Sequence, residues 1–314
     1  MTGMKNRKML GNLLLMLTAL IWGTAFAFQR KGMESIEPMT FTSARMAVSA
    51  VVAGLAALLF RNSGKGAEAS GEPSGDPAQR RKYTLLGGLC CGAFLTAATL
   101  FQQMGIVDTT AGKAGFITAL YIILVPVIET VLFRKKSRAL VWVSVTIGVV
   151  GMYLLCIRDR LTLTHGDALV CVCAVLFSGH ILCCDFFSRR GEPVRIAALQ
   201  FTVCAVVAGI GALLFETPGK DKLLSALIPI LYCGVLSGGI GYTLQLVAQR
   251  WTDPTTASLL MSLESVFAVI GGAVLLNERM TPRELLGCAV MFIAIILIQL
   301  PEDFFRRKAP AGNG

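Results

Sequence analysis

The chain has 314 residues, of which 54% are apolar and 15% charged, with a mean hydropathy of +0.67 and a net charge of +10. Soluble domains carry about 25% charged residues, and the apolar excess here runs along nearly the whole chain, which excludes a soluble enzyme, a disordered chain and a fibrous protein. The basic residues sit in short clusters between apolar runs, as in cytoplasmic membrane loops. A nucleic-acid face would interleave them with aromatics on one surface, so nucleic acid is not an expected partner and the lipid bilayer is.

A spanning helix needs about 20 mostly apolar residues, and ten such stretches follow in order: 10–29, 38–60, 83–104, 111–133, 139–157, 166–187, 194–215, 223–249, 254–276 and 281–300. The expected fold is therefore an all-α polytopic membrane protein. The first stretch follows Lys5, Arg7 and Lys8 and contains Ala25-Phe26-Ala27, the outline of a cleavable signal. The internal repeat described below needs it as a permanent helix, and it is expected to stay. Residues 61–82 are rich in Gly, Ser, Pro and charge; they cannot bury enough apolar surface to order themselves, and they read as a flexible cytoplasmic loop. With both termini placed inside the cell, 19 Lys and Arg fall on the cytoplasmic side and 8 outside. That bias predicts a multi-pass protein of the cell membrane with cytoplasmic N- and C-termini.

Ten cysteines lie within or at the ends of apolar stretches, without paired C-x-x-C motifs. His165 and His180 do not have zinc-ligand spacing. The cysteines read as small packing residues, and neither a metal nor a cofactor is expected.

Residues 51–60 (VVAGLAALLF) and 206–215 (VVAGIGALLF) match at eight of ten positions, an offset of 155. The same offset places Pro38 on Pro193, Phe41 near Ile196 and Trp22 on Phe177. Later in each half an offset of 143 aligns Gln102 with Gln245, Leu120 with Leu263, and Lys135 with Glu278. Each half then holds five spans, 10–157 and 166–300. Five is odd, so the second half runs through the bilayer inverted relative to the first. Inverted repeats are a transporter architecture, in which two halves rock about a site near the midplane.

Two five-helix halves, Trp22-Gly23, and the run from Thr255 through Ser258, Glu264, Leu276, Asn277 and Glu278 to Gly287 resemble the EamA family of the drug/metabolite transporter superfamily. The resemblance covers nearly all of the chain. It implies ten helices around a central cavity and the export of amino acids or other small metabolites. One departure is the basic turn Arg134–Lys136 after the fourth span, where the family often has an acidic residue.

Intramembrane ionisable residues cost roughly 2.5–3.5 kcal/mol each at mid-span, so depth decides how each is read. Glu129 is one turn from Arg134, and Lys113 sits at the opposite end of the same helix; both are expected to snorkel to water. Asp185 is expected to form a structural pair with Arg189 at i+4. Glu264 lies ten residues past Pro254, about 15 Å along its helix, at the midplane. It is either a protonated carboxyl hydrogen-bonded to a neighbouring helix, or a cavity group that takes up a proton or meets a cationic substrate group. Arg45 either snorkels outward or meets a substrate carboxylate. His180 reads as a satisfied core histidine or a site residue, and Trp22 as core packing or a cavity wall. Gln102 and Gln245 are polar gates or interhelical hydrogen bonds. The candidate substrate-binding set is Trp22, Arg45, Gln102, Tyr121, His180, Gln245 and Glu264, with Glu264 also the candidate for proton coupling. Gly234, Ser237, Gly238, Gly239 and Gly241 read as close packing ahead of local unwinding.

The function expected is a secondary transporter that moves a small polar metabolite outward. The alternative is a membrane-embedded enzyme or sensor, but no Ser/His/Asp set, phosphate-cradling loop or Walker A motif is present in the sequence. A small-molecule solute is the expected partner, and a homo-oligomer stays open.

Overall fold

A computed structural model describes residues 2–62, 76–109, 111–135, 138–156, 164–275 and 281–300. Most of the expected 61–82 loop, the side chain of Lys113, Lys136, Asn277, Glu278 and the C-terminal basic cluster lie outside the described residues. Every described regular element is a helix.

In chain order the long helices are α1 (Thr2–Gly32), α2 (Pro38–Asn62) and α3 (Pro77–Asp108), followed by α4 (Ala111–Thr118), α5 (Tyr121–Val131) and α6 (Ala139–Cys156). The rest are α7 (His165–Ser188), α8 (Pro193–Phe215), α9 (Lys220–Ser225), α10 (Leu227–Leu231), a π-helix (Tyr232–Tyr242), α11 (Thr243–Ala248), α12 (Pro254–Met261), α13 (Glu264–Leu275) and α14 (Pro282–Gln299). Among the described residues, seven stretches are long and apolar enough to cross a membrane: Asn6–Gly32, Pro38–Leu59, Pro77–Asp108, Ala114–Val131, His165–Ser188, Pro193–Phe215 and Leu227–Ala248. The protein is a multi-pass membrane protein. Three expected spans are interrupted, the 223–249 span at Ala226 between α9 and α10. The 111–133 span turns at Ala119–Leu120 between α4 and α5, and the 254–276 span turns at Ser262–Leu263 between α12 and α13.

Local chemistry sets the helix starts. Pro occupies the first turn of α3, α8, α12 and α14, where its missing N–H costs nothing. Thr164 and Asp167 form a capping box on α7, and Thr281 and Glu284 form another on α14. The start of α2 is capped from the far half of the sequence. The Glu216 carboxylate, just past α8, accepts from the N–H of Met39 at 2.8 Å, and from the N–H and hydroxyl of Thr40 at 2.7 Å each. An anion there also suits the helix dipole.

The principal packings are α2 on α8, α3 on α7 and α8, α6 on α14, and α1 on α13 and the π-helix. Large apolar side chains such as Leu59, Leu89, Leu213 and Ile296 stand exposed on the outside, which is the inverse of a water-soluble surface and suits lipid. Many polar side chains are instead buried inside, among them Gln102, Gln200, Gln245 and Glu264.

Candidate functional site

Glu264 and Tyr121 each open a new helix after an interruption, α13 and α5 respectively. The Tyr121 hydroxyl donates to Glu264 Oε1 at 3.0 Å, and both residues are 3% exposed. The break at Ser262–Leu263 gives Glu264 a helix N-terminus inside the bundle, where backbone N–H groups favour negative charge. The expected hydrogen bond to a neighbouring helix is therefore present.

A second cluster centres on Tyr242, the last residue of the π-helix. The Trp22 ring lies 4.5 Å from it, His180 5.7 Å and Phe201 6.1 Å, centroid to centroid. Trp22 Nε1 donates to the Ser237 carbonyl at 3.1 Å. His180 Nε2 faces Gln200 Oε1 at 3.0 Å, so the histidine is hydrogen-bonded and buried, as its core reading has it. Trp22 and His180 thus meet through a tyrosine that sequence reading missed. The small residues before it form a π-helix while also packing closely: a Cβ on Gly234 or Gly239 would meet Val48 or Val52 of α2.

Arg45 does not snorkel. It is 2% exposed, and its Nε and Nη2 have no hydrogen-bond partner. The Phe41 ring covers one face, 5.6 Å from the guanidinium carbon. A cation–π contact contributes about 0.5–2 kcal/mol, against several kcal/mol for taking the charge out of water. The charge is under-compensated by its surroundings.

Gln102 donates to Thr118 Oγ1 of α4 at 3.2 Å, an interhelical bond. Gln245 is buried, with an unpartnered Oε1. Glu129 corrects its expectation. It is 5% exposed rather than snorkelling, and it pairs with Lys135 at 2.6 Å. Thr255 of α12 donates to its other oxygen at 2.7 Å, which ties α5 to α12. Arg134 instead takes a left-handed φ of 51° at the helix end. Asp185 pairs with Arg189 at 2.6 Å as expected, and Arg189 also donates to the carbonyls of Arg250 and Thr252. Among the described residues no three His, Cys, Asp or Glu side chains are grouped to hold a metal ion. A surface cleft lined by Arg81, Thr84, Leu85 and Arg195 contains none of the candidate residues.

An apolar helical bundle with ionisable and aromatic groups gathered in its interior has the form of a membrane transporter rather than of a lipid anchor. The sequence profile of the EamA-like transporter family matches residues 9–157 and again residues 164–300, and the chain belongs to that family. It is similar to an uncharacterized transporter of Archaeoglobus fulgidus, 26% identical over 294 residues, covering 94% of this chain and 87% of that protein. The inner membrane transporter YedA of Escherichia coli is 24% identical over 92% of this chain and 90% of its own length. The threonine/homoserine exporter RhtA of Escherichia coli is 26% identical over 51% of this chain and 55% of its own. A solved crystal structure shares the fold, with a TM-score of 0.72 and 16% identity over 92% of this chain and 96% of that one.

Proposed function

We propose that this protein is a secondary transporter in which two inverted five-helix halves alternate access to a polar metabolite bound around Trp22, Arg45, Tyr121, His180 and Glu264. The observation that carries the reading is the Tyr121–Glu264 hydrogen bond. These residues are 143 apart, which is the offset that aligns Gln102 with Gln245. A contact between repeat equivalents is its own mate under a two-fold rotation, so this pair supports an axis that relates the halves and passes beside it.

Exchanged contacts elsewhere support the same axis. Thr109 Oγ1 pairs with Asp167 Oδ1, and its equivalent Thr252 Oγ1 pairs with Asn12 Oδ1 at 3.1 Å; the offsets are again 143 and 155. A Cβ on Gly148 would meet Ala294, and one on Gly151 would meet Met291, the two contacts exchanging at 143. Arg30 donates to the Val107 and Thr109 carbonyls, and Arg189 to those of Arg250 and Thr252; the acceptors correspond at 143, while the donors stand 159 apart, one helical turn beyond the 155 offset. The interruptions at Ala119–Leu120 and Ser262–Leu263 correspond in the same way. The π-helix then has a physical account. Gly92 faces Gln200 and Val203, while Gly234 faces Arg45 and Val48. That correspondence runs at 142 rather than 143. The second half thus holds one extra residue before Gln245, and a π segment is how a helix accommodates a single insertion.

Ten spans with cytoplasmic termini complete the proposed architecture, supported by the Lys/Arg bias. The transporters named among the relatives support transport over the enzyme or sensor alternative, and the partial likeness to RhtA favours outward movement of an amino-acid-like solute. With no Walker A motif in the sequence, the driving force proposed is an ion gradient or the gradient of the solute itself. Glu264 is the coupling group: it exchanges a proton as the cavity opens to each side in turn. Reconstituted protein tests this through Glu264→Gln, which keeps shape and hydrogen bonding but cannot titrate. Its transport should lose the pH dependence of the wild type; an unchanged pH profile in a folded variant assigns Glu264 a structural role.

A further inference from the structure

We infer that Arg45, together with Gln200, forms a seat for a carboxylate group of the transported solute. The inference rests on the transport reading but is carried by a separate observation. Arg45 is buried on α2, and the two nitrogens without a partner are Nε and Nη2. These two N–H groups lie along one edge of the guanidinium plane, parallel and spaced to match the two oxygens of a carboxylate. This chain uses the same edge for carboxylates elsewhere. Arg80 donates from Nε and Nη2 to Glu192 at 3.3 and 3.1 Å, and Arg189 from Nε and Nη2 to Asp185 at 2.9 and 2.6 Å. At Arg45 the edge is intact, desolvated and unfilled, and no carboxylate among the described residues pairs with it.

The neighbourhood contributes a further donor. Gln200 occupies the position on α8 that Arg45 occupies on α2, 155 residues on, and each is the eighth residue of its helix. Its Oε1 faces His180, while its buried Nε2 has no partner. α2, which carries Arg45, packs along α8, and His180, the partner of Gln200, contacts the Tyr242 ring edge-on. Arg45 on α2 and Gln200 on α8, two helices packed on each other, thus supply three buried nitrogen donors without acceptors. Unfilled buried donors of this kind are rare in folded proteins, and an anionic acceptor delivered by the solute satisfies all three. A binding site that is incomplete until cargo arrives also explains why the charge is tolerated inside the bundle. The Phe41 ring closes the face of the guanidinium and leaves its edge open.

The test uses the purified full-length protein and acetate as the probe, with acetamide, chloride and phosphate as comparators at constant ionic strength. The expected result is a saturable rise in the melting temperature of the wild type with acetate, absent with acetamide and weaker with chloride or phosphate. Arg45→Gln should abolish the acetate response, and Arg45→Lys should weaken its apparent affinity by about tenfold, because a point charge lacks the fork. Gln200→Leu should weaken it severalfold, which keeps the test decisive if Arg45→Gln does not fold. A wild type indifferent to acetate overturns the inference, as does equal stabilisation by acetamide or chloride, or a full acetate response in the Arg45 variants. Reconstituted transport separates the two readings. Equal movement of a carboxylate solute and its primary amide sinks the carboxylate seat and leaves the transporter standing. An Arg45-dependent acetate response without any solute movement keeps the seat and sinks the transport reading.

Discussion

Gly23 is where the packing of α1 bears most directly on the Glu264 site. A Cβ at Gly23 would lie 2.5 Å from the carbonyl oxygen of Glu264 and 2.8 Å from both the backbone nitrogen of Ala268 and the Cβ of Phe267. Two of these three are backbone atoms of α13 and cannot rotate aside. Restoring ordinary contact at about 3.5 Å requires α1 and α13 to part by roughly 1 Å. Overpacking of this kind costs about 1–3 kcal/mol, while Ala gains roughly 1 kcal/mol over Gly in a helix interior, so Gly23→Ala should be destabilised by about 0–2 kcal/mol. The larger effect is positional. The Tyr121–Glu264 bond is 3.0 Å long, and a shift of about 1 Å carries it beyond hydrogen-bonding range. Gly54→Ala is the control, since nothing lies within 4 Å of a Cβ there. Thermal melts in detergent and transport by reconstituted protein should show Gly54→Ala at or above wild-type stability and near wild-type rate. Gly23→Ala should be less stable and at least tenfold slower. Equal stability and equal rate for the two variants would refute the close-approach reasoning.

Arg189→Gln removes an ion pair and two donations to carbonyls, and should cost about 1–3 kcal/mol and speed amide exchange across residues 249–253; unchanged exchange there refutes the clamp. Asp167→Ala should be more damaging than Asn12→Ala in thermal melts by about 1 kcal/mol, because Asp167 both caps α7 and bonds Thr109. Equal melts would contradict it. The Glu37 carboxyl, between α1 and α2, is held below its usual range by the hydrogen bond from Lys222, with smaller opposing desolvation. A lowered folded pKa contributes stability above the unfolded value, near 4.3, and loses it as pH falls through the folded one. The difference in melting temperature between wild type and Glu37→Gln should therefore shrink as pH drops below about 4, and a difference that is flat across pH 3–7 would refute the linkage.

The apolar runs were legible in the sequence because they reflect a local rule of length and composition; the capping boxes at Thr164 and Thr281, though local too, were not read there. Helix continuity was not legible. The interruptions before Tyr121 and Glu264 carry no Gly or Pro, and the nearby Gly115 and Pro126 lie inside α4 and α5 rather than at the turn. The burial of Glu129 was missed because Lys135 comes back from beyond Arg134, which takes a left-handed conformation at the helix end, to pair with the carboxylate inside the bundle. Tyr242 carried no polar pattern of its own; its role comes from the helix of Trp22 and the helix of His180 meeting at it. Gln200 was within reach, since the offset that pairs Trp22 with Phe177 also pairs Arg45 with Gln200. The π-helix was hidden because a single inserted residue is invisible in an apolar, glycine-rich run, and shows only when contacts are compared between the halves.

The central claim is transport through a site whose pH dependence passes through Glu264. The most direct measurement loads proteoliposomes with a panel of labelled polar metabolites and follows their movement under an imposed pH gradient, for wild type and Glu264→Gln side by side. The account predicts that at least one carboxylate-bearing solute moves with the wild type, faster with the gradient than without it, and that Glu264→Gln moves it at a rate the gradient does not alter. Wild-type protein that moves none of the panel, or a gradient response that survives intact in Glu264→Gln, contradicts it.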